Sequence, residues 1–147
     1  MTDLEPERQI ATKALGDVAI REQQVLQFPL GLLGFEQLHQ YALLDSSQPP
    51  FFWLQSVEHR DIAFVVINPY LVQSDYQLNI DKTDLAVIGD PTAEDLLVFA
   101  ILTIGATGEA ATCNLQGPIV INRAERLAHQ AISLDPRWHT KHRIGAE

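Results

Sequence analysis

The sequence predicts a mostly β, small single-domain, β-barrel-like fold with one short helix, on three observations. Short apolar runs rich in β-branched and aromatic residues recur: Phe51-Phe-Trp-Leu54, Ala63-Phe-Val-Val-Ile67, Leu96 to Ile104 and Ile119-Val-Ile121. Turn formers separate them, notably Asn68-Pro69, Asp90-Pro91 and Gly117-Pro118. Only Asp81 to Ile88 reads as a helix: Asp81 can cap it, Asp84 lies near its positive end, Leu85 and Ile88 share a face, and Gly89 stops it. No βαβ succession, internal repeat or low-complexity tract is evident.

In chain order, residues 1–12 are polar, contain Pro6 and show no period, so they read as a flexible segment. Strand signals begin at Ala14-Leu15 and Val18-Ala-Ile20, then Val25-Leu-Gln-Phe28, which Pro29 ends. Gly31-Leu-Leu-Gly-Phe35 is a turn so apolar that it must tuck under the core or meet a partner. Glu36 to Tyr41 allows one helical turn, and Tyr41-Ala-Leu-Leu44 is a strand. Phe51–Ser56 and Ala63–Ile67, joined by the charged link Glu58–Asp61, form an antiparallel hairpin. Tyr70 to Tyr76 is irregular. After the helix come the long strand Leu96–Ile104, a turn over Gly105–Gly108, and a strand over Ala110–Leu115. Gly117 supplies backbone freedom and Pro118 removes a donor, breaking that strand from Ile119-Val-Ile121. This last run is apolar on both faces and reads as central and doubly covered. Leu127 to Leu134 is a final strand, broken by Asp135-Pro136. The barrel domain thus spans 13–136, and 137–147 is a basic, aromatic tail.

Charge narrows the function. The formal net charge is −9, from 10 Lys plus Arg against 19 Asp plus Glu. Residues 1–122 carry 16 acidic and 5 basic side chains, and residues 123–147 carry 3 and 5. Such a surface repels phosphate backbones and attracts a basic protein, although negative charge also serves solubility alone. No apolar run approaches the roughly 18 residues of a spanning helix, and the acidic start lacks the pattern of a secretory signal. One cysteine, Cys113, cannot form an internal disulfide, so a cytoplasmic location is expected.

Motifs for chemistry are missing. The five histidines lack metal-ligand spacing, and His139 and His142 merely flank Thr140-Lys141. No HExxH, CxxC, GxxxxGK[ST] or GxSxG occurs. Cys113 has no neighbour to activate it and reads as a buried thiol. Glu94-Asp95 and Asp81/Asp84 read as solvated loop and cap carboxylates. No cofactor, no metal and no enzymatic activity are expected. A small barrel enzyme or ligand carrier is the alternative, and it would need a deep pocket with perturbed ionisable groups.

What remains is a set of polar and aromatic groups at strand ends. Asn68-Pro69-Tyr70, Asp75, Tyr76, Asn114 and Gln116 suit protein recognition on a stiff β frame. The acidic Glu58, Asp61, Glu94 and Asp95 suit a basic partner. The bland alternative is that the Asn and Gln amides, with Asn122, close loop hydrogen bonds within the domain.

These residues also carry a resemblance. Phe28-Pro-Leu-Gly31 with Gly34-Phe35, Tyr41–Leu44, Leu54-Gln-Ser56, Ala63–Pro69, Asp75-Tyr76, Leu97–Thr103, Asn114–Asn122 and Thr140-Lys-His142 together resemble the FliW family of flagellar assembly factors. The likeness runs in order from about residue 13 to 143. Gly117 stands where alanine is common, Trp138 where tyrosine often sits and Arg143 where proline is expected. The resemblance implies a small β-barrel-like, non-enzymatic protein that binds newly made flagellin; a monomer is expected when it is free. It implies too that the free protein binds CsrA, a small basic RNA-binding repressor of flagellin translation, and antagonises it allosterically.

Overall fold

A computed structural model describes residues 7–104 and 111–144 of the chain. Its core is a closed barrel. Strands β3 (Val25–Gln27), β4 (Gln40–Asp45), β5 (Phe52–Ser56), β6 (Ala63–Ile67) and β7 (Leu96–Thr103) follow one another antiparallel. β7 then pairs with β9 (Ile119–Asn122), β9 with β10 (Leu127–Gln130), and β10 returns to β3 in parallel through Leu127 and Gln27. Closure leaves no free edge around most of the ring, which removes the aggregation hazard of an open sheet.

Side-chain alternation explains why both faces are apolar. On β4, Tyr41 and Leu43 point into the barrel while Ala42 and Leu44 point out. On β9, Ile119 and Ile121 point in while Val120 points out. The interior packs Phe28, Leu54, Val66 and Phe99, with Phe28 edge-on to Tyr41 at 5.0 Å. Three outer layers then cover the barrel. A hairpin of β1 (Glu7–Thr12) and β2 (Gly16–Arg21) lays Ile10 and Ile20 over Val25 and Leu44. Helix α2 (Lys82–Val87) and the residue after it, Ile88, cover Val120. The C-terminal segment sets Trp138 against Tyr76, Ala100 and Leu115.

Helix α2 forms as the sequence predicts. The Asp81 carboxylate accepts the Thr83 N–H at 2.9 Å, and the helix ends before Gly89, whose φ is +84°. Two ties hold it to the barrel: Asn122 Nδ2 donates to the Ile88 carbonyl at 2.7 Å, and His129 Nε2 lies 2.8 Å from Asp84. The Gly31-containing turn tucks as one alternative expected: Leu32 is fully buried, although Leu33 stays exposed. At Gly31, φ is +68° and a Cβ would meet the Glu36 backbone at 2.7 Å, so only glycine fits.

Five expectations need correction. Residues 7–12, expected to be flexible, form β1, because Ile10 and Thr12 alternate inward against the barrel. The segment from 137, expected to be a tail, is part of the body: Trp138 is buried and β11 (His142–Arg143) pairs with β8 (Thr112–Cys113). A second short helix, α1 (Pro69–Val72), replaces the irregular segment after Asn68. The helical turn allowed over Glu36–Tyr41 is absent, and Leu127–Leu134 pairs as a strand only to Gln130. Beyond it the chain stays bonded, with Ala131 N donating to the Pro118 carbonyl and Ser133 N to that of Gln116. The turn expected over Gly105–Gly108 and the residue Ala110 lie outside the described residues, as do 1–6 and 145–147.

Candidate functional site

The Asn68-Pro69 pair decides the local architecture. The Asn68 side chain accepts the Tyr70 N–H at 2.9 Å, and Pro69 occupies the first helical position, where its missing donor costs nothing. The chain therefore leaves β6 and coils into α1. This turns Tyr70 and Leu71 outward, 43% and 63% exposed. Tyr70 stands edge-on to Tyr76, and Tyr76 packs on Trp138 with ring centroids 5.1 Å apart. The Arg137 guanidinium lies 4.7 Å above the Trp138 ring.

Beside this aromatic file runs an open groove of about 780 Å³. Asn68, Tyr70, Leu71 and Tyr76 line it together with Pro50, Phe52 and Leu96–Phe99. The lining is aromatic and aliphatic, with no convergence of titratable groups. Such a surface offers contact area to apolar side chains and brings no acid–base pair together.

Carboxylates stand around it. Glu94 and Asp95 lie in a short 3₁₀ turn, Ala93–Asp95, whose first residue lines the groove. Asp95 is engaged by Arg123 at 3.3 Å, whereas Glu94 has no ion-pair partner among the described residues. Asp75 is exposed, bonded by the Gln73 amide and 4.0 Å from Arg137. Arg137 mainly serves Asp135, whose carboxyl it holds below the usual range through hydrogen bonds. Burial pushes the Tyr76 phenol well above its ordinary value, and its hydroxyl has no partner among the described residues.

The structure brings together only some of the residues singled out from sequence. Asn68, Pro69, Tyr70 and Tyr76 share the groove region, with Glu94 and Asp95 close by. Glu58 is elsewhere and engaged: its Oε1 accepts the His39 and Gln40 N–H groups at 2.6 and 2.9 Å. Asp61 is exposed beside Arg60 on the β5–β6 turn. Asn114 closes its own loop by accepting the Gly117 N–H at 2.8 Å. Gln116 exposes its side chain while its backbone bonds His139 and Ser133. Gly117 does not use positive φ; its space is taken by the Asn114 and Gln130 amides, 3.0 and 3.1 Å from where a Cβ would stand. Sequence reasoning missed Leu71, Phe52 and Trp138. The Asn-Pro helix start was the available signal for Leu71.

Cys113 is buried, and burial alone pushes its thiol up to about 11, far from a reactive thiolate. No cluster of three His, Cys, Asp or Glu able to hold a metal ion occurs among the described residues. Nor is any helix there long and apolar enough to cross a membrane.

Comparison with known proteins agrees with this architecture. A family model described as FliW protein matches residues 9–144. The flagellar assembly factor FliW of Treponema denticola is 48% identical over 139 residues, covering 95% of each chain. That of Bacillus subtilis is 34% identical, covering 94% of this chain and 97% of its own. A crystal structure of the flagellar assembly factor FliW superimposes with a TM-score of 0.84 at 36% identity, covering 92% of this chain and 96% of the other. The chain belongs to the FliW family of flagellar assembly factors.

Proposed function

We propose that this protein is a partner switch in the cytoplasm. It binds flagellin and, when free, binds the translational repressor CsrA and antagonises it allosterically, coupling flagellin synthesis to export. Family membership over nearly the whole chain carries the reading. Two features support it physically. The net charge of −9 favours encounter with a basic repressor and disfavours direct contact with RNA. The groove offers aromatic and aliphatic contact area of the kind that protein-binding surfaces present. Either partner displaces the other only if their surfaces overlap or are energetically coupled.

A pull-down tests this. The purified full chain is expected to retain flagellin, and separately CsrA, without nucleotide or metal. CsrA affinity falls markedly as salt rises from low to molar levels. Retention of neither protein would refute the reading; salt-independent affinity would refute only its electrostatic part.

A further inference from the structure

The barrel wall is open at one place, and the groove lies against it. β7 pairs with β6 only through Ile101 with Val66 and Ala100 with Ile67. The next partners would be Asn68 and Pro69, but these turn away into α1, and proline has no N–H to give. On its other side β7 remains fully paired, Leu96–Phe99 running against Ile119–Asn122 of β9. One half of the β7 backbone is therefore bonded and the other half faces the groove.

The lining residues agree with this placement. Leu97 and Phe99 pack into the barrel, while Leu96 and Val98 pack outside it, yet all four line the groove. A groove that touches both faces of one strand runs along its edge. The phase of the backbone follows from one bond: the Ile101 carbonyl accepts the Asn114 N–H, so Ile101 points its polar groups away from β6. By strand alternation, Leu97 and Phe99 do the same, and Leu96 and Val98 turn their N–H and C=O toward the groove. No hydrogen bond to these four groups from that side occurs among the described residues.

We propose that this edge takes an extended segment of the basic partner as an added strand. The backbone groups of Leu96 and Val98 give it main-chain bonds. Alternate apolar side chains of the segment enter toward Phe52 and Phe99 or lie against Tyr70 and Leu71. Lysine or arginine flanking them meets Glu94, the rim carboxylate without an ion-pair partner among the described residues. Charge selects the occupant: a chain with net charge −9 and a carboxylate at the rim favours a cationic segment over an acidic one or a second copy of itself. This deepens the proposed function by locating the contact with the basic repressor.

The test uses the full chain and a short synthetic peptide alternating leucine with lysine. Amide hydrogen exchange is followed by NMR at Leu96 and Val98. Peptide binding is expected to slow exchange at both, and N-methylation of alternate peptide residues to weaken binding at least tenfold. Leu71→Asp and Glu94→Lys, each with an unchanged melting temperature, are expected to weaken it similarly. Three results would overturn the proposal: peptide binding with no protection at Leu96 and Val98; protection already complete in the free chain, or appearing with protein concentration alone; or equal binding of a leucine–glutamate peptide. The same readout with CsrA separates the two levels. CsrA that binds without protecting these amides removes the strand-addition site and leaves the function. Peptide that protects them while neither CsrA nor flagellin binds removes the function and leaves the site.

Discussion

Tyr70 stands edge-on to Tyr76, ring centroids 5.3 Å apart and planes at 78°, so a 43% exposed ring is braced by one that is 2% exposed. An aromatic group held this way loses little freedom when a partner covers it. The two tyrosines should therefore respond differently to truncation. Tyr76→Ala is expected to cost about 3–5 kcal/mol in denaturant unfolding. Tyr70→Ala is expected to cost about 1 kcal/mol or less while weakening partner binding at least tenfold. Equal stability losses, with binding untouched in Tyr70→Ala, would contradict this division.

Asn122 is scaffold, although it closes the most recognisable motif of the chain. Its Nδ2 donates to the Ile88 carbonyl, and its Oδ1 accepts the Ala124 and Glu125 N–H groups at 3.1 and 3.2 Å. Asn122→Ala leaves these groups without partners and is expected to lower stability by about 2–4 kcal/mol. Gln116→Ala, altering an exposed side chain, is expected to stay within about 0.5 kcal/mol. Urea titration of the two variants decides it.

The acidic residues divide in the same manner. Glu58 binds two backbone N–H groups through one carboxylate oxygen, so Glu58→Gln is expected to cost about 1–2 kcal/mol by weakening charge-assisted bonds. Glu94→Lys is expected to change stability by about 0.5 kcal/mol or less and to reduce CsrA binding. Calorimetric titration with a parallel melt distinguishes contact from scaffold at each position.

Alkaline pH should destabilise the fold through buried groups that resist ionisation. Burial raises the Cys113 thiol from 9.0 to about 11, and raises Tyr41 from 10.0 to about 12 with help from the Glu58 charge. The unfolded chain releases these protons first, so stability is full below about pH 9 and falls as pH rises toward about 12. Each group contributes up to about 1.4 kcal/mol per pH unit. Denaturant unfolding between pH 8 and pH 12 checks the window; a flat profile would mean that water reaches both side chains. Native Cys113 should also react slowly with a thiol reagent at pH 8 and quickly after unfolding.

Much of the barrel was legible because its strands carry strong local signals. Phe51–Ser56 and Ala63–Ile67 pair as expected, and the apolar run ending the chain's long strand forms β7. Helix α2 was legible from Asp81 and Gly89, which act as cap and stop. The N-terminal hairpin was not, because β1 contributes only Ile10 and Thr12 to the core and is ordered by its contacts with Val25 and Leu44. Trp138 was read as part of a tail for the same reason: its burial depends on Tyr76 and Leu115, far away in sequence. At the groove, Asn68, Tyr70 and Tyr76 could be named from residue type. Their alignment with Leu96–Phe99 could not, since it follows from where β6 stops beside β7. Glu58 and Asn114 show the limit of residue type alone: both are polar groups at turns, and both satisfy backbone.

The measurement that bears most directly on the whole account is a competition titration of the full chain by isothermal calorimetry. CsrA is titrated into the protein alone and then into protein saturated with flagellin, without nucleotide or metal. Selective holding of one protein at a time predicts tight CsrA binding in the first case and an apparent affinity at least tenfold weaker in the second. Undiminished CsrA binding to the flagellin complex, or no heat with either protein, would contradict it.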